Sequence, residues 1–187
     1  MTRSLTCSSA IALVFLATAA RADVTPQEVW ASWQAMATSA GQELSVGNTA
    51  DSGDVVEVTD LAVTAKDQMG GSASVTFDKL TFKDNGDGTV TVTMPDSYPI
   101  QMAFPKSEDG PGAIKLTVSQ PGTVIVAGGS ATETSYQITA PTMTVTLDEV
   151  TDETGTVLDT EASMVMTEVA GGYLVSKTGE IMGLEST

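Results

Sequence analysis

Beyond residue 22 this chain has no histidine, cysteine or arginine: its one Cys is Cys7, and its two arginines are Arg3 and Arg21. Without His, the usual activation of a Ser or Cys nucleophile has no base, and neither Ser-x-x-Lys nor Gly-x-Ser-x-Gly occurs. Without His or Cys there is no zinc site, and no glycine-rich phosphate loop ending in Lys-Ser/Thr is present. Aromatic residues make up only 5% of the chain, too few for the stacking platforms of a carbohydrate-cleaving cleft. The reading therefore excludes a metal or cofactor and turns to where the protein lives and what it folds into.

Residues 1–22 have the three parts of a secretory leader. Arg3 lies near the start, an apolar stretch runs from Ala10 to Ala20, and Ala20-Arg21-Ala22 precedes Asp23. The apolar stretch is too short for a stable membrane anchor. Lipoprotein processing needs a Cys just after the cleavage point, whereas Cys7 lies ahead of the apolar run and leaves with the leader. Cleavage after Ala22 removes 22 of 187 residues and leaves 165, with six lysines against 24 acidic residues, a net charge of about −18. No second apolar segment approaches membrane-spanning length. The expectation is a soluble, exported, periplasmic protein, with one domain over 23–187 held by an ordinary core and no disulfide. Its charge excludes nucleic acid and anionic lipid surfaces, which need Lys or Arg against phosphate.

The first mature element is a helix with complete start signals. Thr25 caps, Pro26 takes the first helical position, Glu28 completes a capping box, and Val24 staples onto Val29. Val29, Trp33, Met36 and Ala40 share one face, with Trp30 and Ala37 beside it, and Gly41 is the stop. Both tryptophans of the chain are here. They either seal the helix against a sheet or stack on a ligand.

From Leu44 the period changes to two, with turn residues between short runs. Val75 and Phe77 alternate, the phase shifts at Asp78-Lys79 so that Leu80 and Phe82 continue, and a bulge is expected there. The Asp/Asn/Gly turn after Lys83 marks a hairpin, followed by Val90, Val92 and Met94. The turn resembles a calcium loop, but Lys83 and Met94 occupy two ligand positions and exclude it. Strands follow at Tyr98 to Phe104, Ile114 to Val118, Val124 to Val126, Tyr136 to Ile138, Met143 to Leu147, Met164 to Met166 and Tyr173 to Val175. Turns are expected at 107–112, Gly128-Gly129, Pro141, Asp152 to Gly155 and Gly171-Gly172. The last five residues give no strand signal.

Nine or ten strands with one apolar and one polar face describe an antiparallel sheet wet on one side. At about 4.8 Å per strand its apolar face is roughly 48 Å wide, whereas a helix of about 15 residues is only some 22 Å long. The helix cannot cover that face alone. Either the sheet closes on itself as a sandwich or curled barrel, or apolar surface remains for a lipid, another ligand or a partner. The fold expected is a mainly β domain: a large curved antiparallel sheet, half-barrel or open barrel, with one N-terminal amphipathic helix packed on its apolar face.

Several of these segments resemble an uncharacterised family of Gram-negative periplasmic proteins, the domain of unknown function 2125 family. They are Ala22 to Pro26 with Val29-Trp30 and Trp33, Phe82 to Thr89, Pro95 to Pro99, Gln120-Pro121-Gly122, and Tyr136 to Met143. These are turn and core motifs, so the resemblance implies compartment and fold and transfers no catalytic residue. Members run beyond this length, which implies that the chain is an N-terminal portion of a longer protein.

The function expected is a non-enzymatic binding or transfer module for a lipid or other apolar small molecule. Trp30, Trp33, Tyr98, Met102, Phe104, Met143, Met164 and Met166 are the candidate lining; the strand methionines are either core filler or an adaptable wall. The alternative is a structural or assembly protein whose apolar face meets an envelope partner. An acid-base hydrolase would need paired carboxylates, for instance among Asp148, Glu149, Asp152 and Glu153, in a cleft that raises one pKa. An outer-membrane barrel is disfavoured by the low aromatic content and the amphipathic helix.

Overall fold

The computed structural model describes residues 23–105, 111–129 and 132–186. The leader, Cys7 and most of the 107–112 turn lie outside the described residues. Helix α1 (Pro26–Ser39) starts as its residues dictate. Thr25 Oγ1 accepts from the Glu28 amide at 3.2 Å, and the Thr25 amide donates to Glu28 Oε2 at 2.9 Å. At the other end Gly41, φ +69, donates to the Thr38 carbonyl, and the Gln42 amide reaches back to Ala37 at 2.8 Å. This double closure satisfies carbonyls the helix would leave free.

Twelve strands follow among the described residues, in one antiparallel sheet. They are β1 (Glu43–Ser45), β2 (Asn48–Asp51), β3 (Val55–Lys66), β4 (Ser72–Asp84), β5 (Val90–Thr93), β6 (Ser97–Ala103), β7 (Pro111–Ser119), β8 (Val124–Gly129), β9 (Glu133–Asp152), β10 (Val157–Leu158), β11 (Ala162–Ser176) and β12 (Ile181–Ser186). The main path runs β1-β3-β4-β5-β8-β9-β11-β12, while β6 and β7 join β4 to β9 by a second route, so that six strands form a partly closed ring. The fold is mainly β with an N-terminal helix, as the two-residue alternation and the capping box require.

The pairing registers show what the ring is. β7 and β8 lie on β9 in one continuous register, with Val118 opposite Val145 and Val124 opposite Thr139. β5 and β6 both lie along one edge of β4, slipped by one residue: Val92 faces Phe82 and Ile100 faces Val75. Each inner pair is thus one long strand broken in the middle, at 94–96 and at 120–123. The break continues sideways as a crease. In β3 the core-facing positions step from Val56 and Val58 to Leu61 and Val63, across Asp60 with φ +53. In β11 Glu168, also φ +53, falls between Thr167 and Val169, which pair with Thr142 and Ala140 on either side of Pro141.

Several expectations are corrected here. The phase change at Asp78-Lys79 is no one-sided bulge, because β3 steps with β4 and the pairing resumes in register, Thr59 with Lys79 and Leu61 with Phe77. Pro141 does not end a strand. It sits where neither β7 nor β8 pairs with β9, so its missing N–H costs no ladder bond. Gly128-Gly129 closes β8 and Gly171-Gly172 lies inside β11. In both places a side chain from elsewhere occupies the space a Cβ would fill: Val24 over Gly129 and Gln137 over Gly172. Of the last five residues, expected to carry no strand, Gly183 to Ser186 fall within β12 on the edge of β11.

The crease divides the sheet into two halves. In the first, α1 lies on the apolar face, and Val29, Trp30, Val56, Val58, Leu80, Phe82, Val90, Val92, Ile125, Ala127, Tyr136 and Val175 form the core. Phe82 sits between the tryptophans, 5.6 Å from Trp30 and 5.4 Å from Trp33, the latter edge-on. Two segments hold the helix down. The Val24 amide donates to the Gly88 carbonyl, and Ser39 Oγ donates to the Gly179 carbonyl at 3.1 Å in the β11–β12 turn.

Candidate functional site: the open half of the apolar face

Just beyond the crease Leu61 and Phe77 still belong to the helix's core and Val118 is buried; farther on, the same face is only partly buried. Cross-strand pairing places apolar residues in rows. One row runs Tyr98, Val118, Val145, Met164. The next crosses six strands through Val63, Val75, Ile100, Leu116, Leu147 and Ala162. A third runs Ala65, Ala73, Met102, Ile114, Val150. The alternate positions, including Thr64, Ser74, Gln101 and Thr146, face the other way. Five strand spacings make the longest row about 24 Å.

The helix core reaches Val63, Val75 and Tyr98 and goes no further: Ile100, Met102, Ile114, Leu116, Val145 and Leu147 are outside it and only partly buried. The helix packs mainly on β1, β3 and β4. At the β3–β4 end the face opens into a shallow hollow of about 270 Å³, bordered by Ala65, Ala73, Met102 and Phe104. At the opposite end Leu147 and Ala162 border a second, more polar hollow with Asp148 and Glu161.

The residues singled out from the sequence divide between the halves. Trp30, 8% exposed, and Trp33 lie under the helix against Phe82 and do not border the open rows. They seal the helix, the first of their two readings. Tyr98 stands at the crease, its ring 4.8 Å from Phe77. Met102 and Phe104 border the hollow, Phe104 being 39% exposed. Met143 and Met166 face each other across β9 and β11, and Met164, 54% exposed, ends the first row. Ile100, Ile114, Leu116, Val145 and Leu147 complete the face. Their alternation is visible in the sequence, but only the register shows that they are neighbours.

One polar irregularity lies beneath the helix. Ser32 Oγ, Trp33 Nε1 and the Tyr136 hydroxyl converge in the core, and none completes a hydrogen bond of ordinary geometry. Burial drives the Tyr136 pKa far up, with Ser32 and then Trp33 close enough to oppose the shift. Tyr173, stacked on Tyr136 at 4.8 Å, is pushed up to about 12 by burial.

Among the described residues the carboxylates form no such strained cluster. Asp152, in the acidic turn, is held below the ordinary carboxylate range by the Thr154 hydroxyl and then the Thr156 amide, the opposite of a general acid's shift. Asp84 and Asp87 accept from Gly86 and Thr89 within their own turn. Among the described residues no three metal-ligating side chains come together, and no helix is long and apolar enough to cross a membrane.

No protein-family model matches the chain, and no characterised protein or solved structure matches it either.

Proposed function

We propose that this is an exported, non-enzymatic binding or transfer protein of the periplasm, and that it seats a lipid or other apolar molecule on the open half of its sheet. One observation carries the reading: an apolar row that starts at Val63 and Val75, packed on the helix core, continues across four further strands through Ile100, Leu116, Leu147 and Ala162, which lie outside that core. Leaving so broad a patch to water is costly, at roughly 25 cal/mol per Å², and patches of this kind mark binding surfaces. The leader-like residues 1–22 and the likeness to the periplasmic family support the compartment. The partly buried methionines on the face suit a guest of variable shape.

Native mass spectrometry of protein purified from the cell envelope tests this. A bound mass lost on denaturation supports the carrier reading. A defined oligomer with no adduct overturns it in favour of an assembly protein whose partner covers the same face.

A further inference from the structure

We infer that the molecule seated on the open half carries no net negative charge on its head group; this rests on the carrier reading above and narrows it. Among the described residues, which leave out Lys106, no lysine stands in the apolar rows. Lys115 and Lys79 lie on the outer face, paired with Glu149 at 2.8 Å and with Glu57. Lys83 is exposed on the outward side of β4, and Lys177 lies in the β11–β12 turn. Lys66, beside the hollow at the β3–β4 end, is already held by Glu43 at 2.9 Å.

Acidic groups stand at both ends of the rows. Asp67 borders the hollow with Met102 and Phe104, its Oδ1 accepting from the Met69 and Gly71 amides at 2.8 Å. At the other end Glu161 borders the second hollow beside Ala162, whereas Asp148 is turned to the outer face, where it accepts from Thr117 Oγ1 at 2.7 Å. A head group leaving the apolar face therefore meets carboxylate at either exit, within a chain of 24 acidic residues and 8 basic ones. A phosphate or free carboxylate is repelled there and finds no unpaired cation among the described residues, whereas an uncharged or cationic head is tolerated or attracted.

The test uses the mature chain and an uncharged apolar fluorophore, N-phenyl-1-naphthylamine, displaced by monooleoylglycerol or by oleate below their micelle-forming concentrations. Monooleoylglycerol is expected to compete at about tenfold lower concentration than oleate at low salt, with the gap narrowing as salt screens the rim. Leu116→Lys, whose ammonium can reach the rim along its own stem, is expected to improve oleate relative to monooleoylglycerol. Gln101→Lys, exposed on the opposite face, should leave the order unchanged and serves as the folding control. Equal competition by the two lipids in the unaltered protein overturns the charge inference and leaves the site standing. Failure of the fluorophore to bind overturns the carrier reading itself.

Discussion

Replacing Phe82 by Ala isolates what the helix-covered half contributes. Its ring is fully buried and touches both tryptophans of α1. Truncation removes the whole ring from a site whose walls are strand backbone and indole, which cannot collapse to fill the gap. A loss of about 3–5 kcal/mol is expected, a large fraction of the 5–15 kcal/mol typical of a domain. The matched change in the open half is Leu116→Ala. That side chain is partly solvated already and removing it leaves no closed cavity, so about 1 kcal/mol or less is expected. Urea unfolding followed by tryptophan fluorescence reads both, since the only indoles sit on α1. Equal losses from the two substitutions would refute the division of the sheet into a packed and an open half.

Gly179 lies at φ +87 against the backbone of Ala35 and Met36, so Gly179→Ala should loosen the strap over α1 and lower the urea midpoint more than Gly41→Ala. Gly41 also has positive φ but has open space around it, and about 1 kcal/mol is expected there. Tyr136→Phe should be neutral or stabilising in the same assay, because it deletes a buried hydroxyl without a partner, whose burial costs about 1–3 kcal/mol. A clear loss would mean that the hydroxyl has one. Burial raises the pKa of all three tyrosines, so the folded state favours their neutral form. That contribution is intact below the unfolded value near pH 10 and drains away as pH climbs towards the folded value of about 12 for Tyr173. Ultraviolet titration should show tyrosinate appearing with alkaline unfolding; ionisation near pH 10 with the fold intact would contradict it. Thr25→Ala removes the cap of α1 and should cost about 1 kcal/mol.

The helix was legible because its signals are local: Thr25, Pro26 and Glu28 close the cap among themselves, and Gly41 supplies the left-handed residue that ends it. The strands were legible in outline because alternation of Val, Ile, Leu and Met with Thr and Ser is a property of each segment alone. The crease was not. Asp60 and Glu168 take positive φ although nothing in their identity demands it, and their backbone follows from the neighbouring strands stepping together. Pro141 and Gly171-Gly172 read as breaks because Pro and Gly usually are; here an unpaired stretch of β9 and the Gln137 side chain over Gly172 absorb them.

The site divides in the same way. Tyr98, Met102, Phe104, Met143, Met164 and Met166 could be picked as apolar and alternating. Trp30 and Trp33 went to the core because the helix lies over Phe82, a contact between positions some fifty residues apart. That Leu116 faces both Ile100 and Leu147 is a matter of register, which composition does not encode.

Single cysteines report solvent access directly, and residues 23–187 contain none. A thiol introduced at Ile100, Leu116 or Val145 should react with a small maleimide much faster than one at Val58 or Leu80 under native conditions, and bound lipid should slow the first group alone. Slow labelling at all five positions in delipidated protein would show that the far half of the sheet is already covered, and no carrier surface would remain.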